Sequence, residues 1–213
     1  VIQVRTSSRR FKNKSLFSFY GKTLVQHVYD KIKKSKKVKI IVSTSTNKSD
    51  DKLIKILSKE NIKYFRGPLN NVAKRLYDTA ILERENFFLR ISGDSPLIDF
   101  RIINKIINIS KKNKNFDLIT NVFPRTFPSG QSVEIIRTST LGKNLKLFSK
   151  IDKEHVTSYF YRNSSKFKIK NFTNKRNSSI KKLSIDTLGE LKLILKDFTK
   201  KKFLNYSYFD EKN

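Results

Sequence analysis

The 213-residue chain has no cysteine, which excludes disulfides and thiolate-held metal sites. It has no apolar run long enough to cross a bilayer, so no membrane insertion is expected. Glycine and proline number only six and four. Acidic residues are scarce too: 18 stand against 47 basic ones, leaving a net charge of +29. No helix-turn-helix, zinc finger or aromatic RNA-binding motif is recognisable. The first residues read as a strand, not as a charged segment followed by an apolar stretch and a cleavage site, so no signal peptide is expected. These absences together predict a cytoplasmic protein.

The charge has two readings. Lys and Arg could neutralise nucleic-acid phosphates. Alternatively, Lys, Asn, Ile and Phe are abundant together while Ala, Gly and Pro are scarce, as AT-rich codons would produce. The lysines are scattered over 31–39, 111–114, 166–182 and 196–202. That spread favours composition, and a nucleic-acid partner is not expected.

At 37% hydrophobic and 12% aromatic residues the chain can build a core. Short apolar runs alternate with longer amphipathic segments. Strands are predicted at 2–4, 39–43, 63–66, 87–91, 117–120, 132–136, 167–171 and 183–185. Helices are predicted at 23–34, 51–60, 72–84, 100–111, 139–148, 153–162 and 188–199. This alternation implies an α/β domain with a mostly parallel sheet flanked by helices on both faces. Continuous Ile, Val and Phe runs suit strands buried on both sides. Asp99 precedes periodic Ile102, Ile103, Ile106 and Ile107 and can cap that helix. Thr187 and Glu190 have capping-box spacing. One domain is expected over 1–200, with a polar tail over 201–213 that frays.

Ligands of open parallel sheets bind beyond the carboxyl ends of the strands. The first strand, from Ile2, runs into a loop with five cations (Arg5, Arg9, Arg10, Lys12, Lys14) and three hydroxyls (Thr6, Ser7, Ser8). Such a loop suits a polyphosphate, whose charge must be met by several donors at once; it also reads as a solvated basic loop. The fourth strand ends in Ser92-Gly93-Asp94, and a last strand in Ile185-Asp186. Asp94 reads as a turn residue or a metal ligand, and Asp186 as a helix cap or a metal ligand. Two carboxylates facing a phosphate loop suggest Mg²⁺, typically held by one or two carboxylates plus substrate phosphates.

These segments resemble the sugar cytidylyltransferases, the family that makes CMP-activated ketodeoxyoctulosonate and sialic-type acids. The resemblance runs through Ile2-Gln3-Val4-Arg5, Ser8, Arg10, Lys14, Leu16 and Gly21. It continues through Ser43–Asn47 with Asp50-Asp51, then Phe65-Arg66-Gly67 with Asn71-Val72 and Arg75. Arg90–Asp99 matches the family's central Asp motif, and Phe127–Gly130, Val133-Glu134, Glu154–Thr157 and Ile185–Thr187 follow in order. It covers about residues 1–200 and is nearest the spore coat polysaccharide SpsF-like branch, notably in Glu154-His155-Val156-Thr157. Many relatives have Gly where Ser7 stands, Pro-Gly where Lys12-Asn13 stands, and Asp where Asn71 and Ser132 stand. Asn13 can keep a turn at positive φ.

The resemblance implies a nucleotide-diphospho-sugar transferase (Rossmann-like) fold, Mg²⁺ dependence and a homodimer. It implies transfer of CMP from CTP to a sugar acid, with pyrophosphate released, for surface polysaccharide synthesis. Arg10, Lys14 and Asp94 would be catalytic. Arg5, Ser7, Ser8, Arg10, Lys14, Arg66 and Ser92 would bind the nucleotide. Asp94 and Asp186 would hold Mg²⁺, and Gln131, Glu134 and His155 are acceptor candidates. Other nucleotides or acceptors on the same fold, an inactive partner subunit and a basic nucleic-acid binder are the alternatives.

Overall fold

The computed structural model describes residues 1–8, 10–35 and 38–208. Arg9, counted above among the loop cations, lies outside the described residues, as do 36–37 and 209–213.

The chain opens with β1 (Ile2–Gln3). A small hairpin follows, β2 (Ser18–Phe19) and β3 (Lys22–Thr23). Its turn is Tyr20-Gly21, both at positive φ, the geometry that matches strand twist in a two-residue hairpin. α1 (Leu24–Lys33) starts at Thr23, whose side chain forms a capping box with Gln26. Then come β4 (Val42–Ser45), α2 (Asp51–Lys59), β5 (Tyr64–Gly67), α3 (Val72–Leu82) and β6 (Phe87–Ser92). α4 (Phe100–Lys112) is capped by Asp99, whose Oδ1 accepts from Arg101 N at 2.8 Å. β7 (Leu118–Thr120), β8 (Glu134–Arg137) and α5 (Thr138–Asn144) follow, then α6 (Lys150–Glu154), α7 (Ser158–Arg162) and β9 (Ile169–Asn171). The last helices are α8 (Leu188–Asp197) and α9 (Lys200–Asn205). The Thr187 and Glu190 capping box at α8 forms as the spacing predicts.

The main sheet has the order β5-β4-β1-β6-β8-β7-β9. β8 is antiparallel to both its neighbours, and the other pairings are parallel. The chain runs outward from β1 through β4 to β5, then crosses to β6 on the other side of β1. That reversal opens a crevice at the carboxyl end of β1, where sheets of this kind hold ligands.

Both faces of the sheet are covered, so consecutive strand residues enter different cores. Ile119 and Ile135 pack with Val25, Leu53 and Ile103 from α1, α2 and α4. Their neighbours Leu118 and Ile136 pack with Leu76, Leu141 and Phe160 from α3, α5 and α7. The unbroken apolar runs of these strands follow from that double burial.

Three predicted elements differ. Residues 183–185 form no strand. Leu183 N donates to Ser129 O and Ile185 N to Asp94 O, both at 2.8 Å. Their partners are loop residues, so no ladder can propagate. Gly130, at φ +89°, makes the approach possible, since a Cβ there would lie 2.6 Å from the Leu183 carbonyl carbon. The helix predicted over 153–162 is two helices. Asp152 accepts from Ser158 Oγ at 2.8 Å and from Arg162 Nη2 at 2.7 Å, which folds the chain back at His155.

The third difference is the tail. Residues 200–208 do not fray: Phe203 and Tyr208 are buried in the larger core. Lys31 Nζ donates to the carbonyls of Phe203, Leu204 and Tyr206, each at 3.1 Å, and completes the end of α9. Asp99 Oδ2 accepts from Ser207 Oγ at 2.7 Å and Tyr208 N at 2.8 Å. Phe203→Ala is therefore expected to lower the unfolding free energy by about 3 kcal/mol, measured by denaturant titration. Unchanged stability would show that this segment is not part of the core.

Candidate active site

The loop after β1 is shaped by Asp50, at the start of α2. Its carboxylate accepts from Thr6 N at 2.7 Å, Thr6 Oγ1 at 2.6 Å, Thr44 Oγ1 at 2.8 Å, Ser45 N at 3.0 Å and Ser45 Oγ. Burial acts to raise the Asp50 pKa, but the Ser45, Thr6 and Thr44 donors outweigh it and hold the group below its ordinary value. One buried anion thus ties the exits of β1 and β4 together. Asn13 N then closes the loop onto Thr6 O at 3.1 Å. Asn13 sits at φ 57°, the left-handed geometry expected for it. Between these two anchors the loop presents Ser7, Ser8 and Arg10 to a cleft.

Two further segments bring the carboxylates. Gly93 N donates to Gln3 O at 2.8 Å. A Cβ at Gly93 would come 2.8 Å from Val4 Cβ, so only glycine lets the end of β6 lie against β1. Asp94 O accepts from Ile185 N, which draws Asp186 alongside. Lys14 Nζ joins the set, 3.2 Å from Asp94 Oδ2, 3.1 Å from Asp186 Oδ1 and 2.9 Å from Ile185 O. Arg10 Nη2 lies 3.1 Å and Lys182 Nζ 3.4 Å from Asp186, and Lys182 also pairs with Glu190 at 2.6 Å. Burial pushes the Asp186 pKa up, but Lys14, Arg10 and Lys182 outweigh it, so the carboxylate stays ionised below its ordinary range.

Two cavities meet at this carboxylate pair. The larger, of about 1160 Å³, runs along the loop past Arg5, Ser8, Arg10 and Lys14 to Ser92. The smaller, of about 430 Å³, is walled by Arg125, Ser129, Ser132, Glu134 and Tyr161. Asp94, Asp186, Ser92, Arg90 and His155 border both. Asp94 and Asp186 already share one ammonium, so they stand close enough to share one cation. Among the described residues no group of three or more His, Cys, Asp or Glu gathers to hold a metal. A two-carboxylate set fits Mg²⁺, which completes its shell with phosphates and water.

The predicted residues divide. Arg5, Ser7, Ser8, Arg10, Lys14, Ser92, Asp94 and Asp186 come together around the larger cleft. Arg5 is tethered to Glu154 at 2.6 Å. Arg66 does not join them. It binds Ser45 O at 2.9 Å, Asn47 O at 3.0 Å and Asp51 Oδ1 at 2.8 Å, and borders neither cavity. Gln131 is also elsewhere. Fully buried, it accepts from Asp99 N at 2.9 Å and donates to Leu97 O at 2.6 Å, bracing the loop after β6. Glu134 faces the smaller cavity, paired with Arg90 and accepting from Tyr161 OH at 2.5 Å. Desolvation and the charge of Glu134 push the Tyr161 pKa up, so the phenol stays a donor. His155 is exposed where α6 ends.

The sequence assigned no role to several residues that the fold brings to the site. Arg75 lines the cleft from α3 at 1% exposure, donates to Pro68 O at 2.8 Å, and has its pKa lowered by burial to about 10. Arg90, Arg125, Tyr161 and Lys182 look like ordinary strand, loop and helix residues until the fold assembles them. Arg75 and Arg90 lie in segments that resemble the family, and a cation in the middle of an apolar strand is the further signal that Arg90 offers.

The family model described as Cytidylyltransferase matches residues 1–210. The chain belongs to the cytidylyltransferase family. A cytidylyltransferase structure from Leptospira borgpetersenii superposes with a TM-score of 0.89 at 31% identity, over 98% of this chain and 89% of that one. The uncharacterized protein MJ1063 of Methanocaldococcus jannaschii is 32% identical over 92% of this chain and 80% of its own length. The 3-deoxy-manno-octulosonate cytidylyltransferase of Fusobacterium nucleatum is 30% identical over 56% of this chain; the match spans 49% of that enzyme. The nucleotidyltransferase fold expected from the resemblance is the fold of this cytidylyltransferase. No helix among its described residues is long and apolar enough to cross a membrane.

The Glu154–Thr157 segment of this cytidylyltransferase depends on Asp152. Burial works against its charge, but the Ser149, Arg162 and Ser158 donors outweigh that and hold its pKa at about 2. The folded value lies below the unfolded one, so this stabilisation is present above about pH 4 and is lost as pH falls through about 2. Asp152→Asn is expected to cost about 2 kcal/mol at pH 7 and to narrow that gap between pH 4 and pH 2 in denaturant titrations. A gap independent of pH would contradict the assignment.

Proposed function

We propose that this cytidylyltransferase moves CMP from CTP to a hydroxyl of a sugar acid and releases pyrophosphate, with Mg²⁺ as its cofactor. The observation that carries the reading is the meeting of two cavities at Asp94 and Asp186. The larger one, with its cationic loop, suits a nucleoside triphosphate. The smaller one suits a hydroxylated acceptor held beside the α-phosphate.

The loop and its neighbours supply the charge. Arg10, Lys14 and Lys182 surround the carboxylates and offset the charge that develops on departing pyrophosphate. Mg²⁺ bound by Asp94 and Asp186 would supply counter-charge at the phosphate oxygens and lower the pKa of the attacking hydroxyl. Ser92 and Arg75 also border the larger cleft.

The acceptor cavity supports a sugar acid. Arg125 donates to Ser132 Oγ at 3.0 Å and has no acidic partner among the described residues. An unpaired guanidinium in a small hydroxyl-lined cavity suits a substrate carboxylate. Glu134 is engaged by Arg90 and Tyr161. His155 stands at the rim shared by both cavities.

The test is pyrophosphate release from CTP and Mg²⁺ with a panel of ulosonic acids, run beside the other nucleoside triphosphates. Turnover with CTP and at least one sugar acid is expected. Asp94→Asn is expected to lower it by about two orders of magnitude or more, with an unchanged far-ultraviolet circular dichroism spectrum. Near-wild-type turnover in that variant would overturn the metal assignment. Turnover only with neutral acceptors would overturn the sugar-acid reading.

A further inference from the structure

The carboxylates assigned to the metal already hold a cation of the chain's own. Lys14 Nζ lies within 3.2 Å of three oxygens: one on Asp94, one on Asp186 and the Ile185 carbonyl. An ammonium has three protons to donate, and here each has an acceptor. The Lys14 side chain is only 14% exposed, and the two Asp side chains 22% and 20%. The cluster is thus complete without any ligand, and partly shielded from water.

The backbone of Lys14 is also fixed. Asn13 O accepts from Leu16 N at 2.9 Å, and Lys14 O from Phe17 N at 3.1 Å. Any departure of the ammonium must come from rotation of its side chain. A divalent ion on the same two carboxylates would lie within a few ångströms of Nζ, where like charges repel strongly.

We infer that Lys14 and the divalent ion compete for Asp94 and Asp186, so the chain resists the ion alone and takes it together with a triphosphate. The triphosphate makes the exchange possible because its oxygens replace the three acceptors that Lys14 gives up. Arg10 and Lys182 do not need to move in the same way. Arg10, at 67% side-chain exposure, reaches Asp186 from outside, and Lys182 is held by Glu190. This inference rests on the proposed metal site.

The experiment measures Mn²⁺ binding without nucleotide, by loss of the free-ion electron paramagnetic resonance signal at fixed ionic strength. Lys14→Met is expected to bind Mn²⁺ at least about tenfold more tightly than the wild type, and Arg10→Met to show a smaller gain. A native-like Lys14→Met that binds Mn²⁺ no more tightly would overturn the competition and leave Lys14 as a mere staple. Lys14→Gln is read in the same way should the methionine variant fail to fold. A wild-type arm needs no variant: Mn²⁺ with CTP should raise the melting temperature at a concentration where Mn²⁺ alone does not. Equal protection by Mn²⁺ alone would overturn the inference. No Mn²⁺ binding even with CTP would instead sink the proposed function.

Discussion

The contact between Lys14 and the carboxylates of Asp94 and Asp186 is where the fold meets the proposed chemistry. The three residues come from the first loop, the end of β6 and the segment before α8. Lys14 is separated along the chain by 80 positions from Asp94 and by 172 from Asp186. Nothing local brings them together. The bonds Gly93 N to Gln3 O and Ile185 N to Asp94 O do so; Gly93 lets the end of β6 lie against β1, and Gly130 lets residues 183–184 lie close to the 129–130 loop. The sheet order sets β1 beside β6, and these two approaches convert that order into a cluster of opposite charges.

The same logic explains how so basic a chain uses its few acids. Asp50, Asp99 and Asp152 are almost fully buried, and Glu134 nearly so. Each gathers donors from separate segments: Asp50 from β1 and β4, Asp99 from α4 and the 207–208 segment, Asp152 from both sides of a helix break. A buried carboxylate is stable only when such donors replace its lost water. These acids therefore act as joints of the framework. Cations outnumber them, and the excess is spread over loops and helix ends, except in the cleft, where it is concentrated beside Asp186.

How much was legible in the sequence depended on how local the cause was. Periodicity marked α4 from its isoleucines, and capping patterns marked Asp99 and Thr187, because those signals act within a few residues. Asn13 could be assigned positive φ for the same reason. The helix break at His155 was hidden because it comes from Asp152 reaching Ser158 and Arg162. The 183–185 segment looked like a strand because Leu183 and Ile185 are apolar, yet its partners are loops. The packed end at 200–208 was missed because its lysines masked Phe203 and Tyr208. In the site, Asp94, Asp186, Arg10 and Lys14 stood out as charges at strand ends, whereas Arg125 and Tyr161 acquire meaning only when β7, β8 and α7 converge. Arg66 and Gln131 had plausible chemistry but are engaged in bracing neighbouring backbone.

In the proposed reaction one divalent ion and the CTP phosphates meet on Asp94 and Asp186. Anomalous X-ray diffraction from crystals grown with CTP and Mn²⁺ tests it most directly. One manganese peak between the Asp94 and Asp186 carboxylates is expected, touching phosphate oxygens, with Lys14 turned away from both acids. A peak elsewhere, or a bound triphosphate with Lys14 still between the two carboxylates and no metal there, would contradict it.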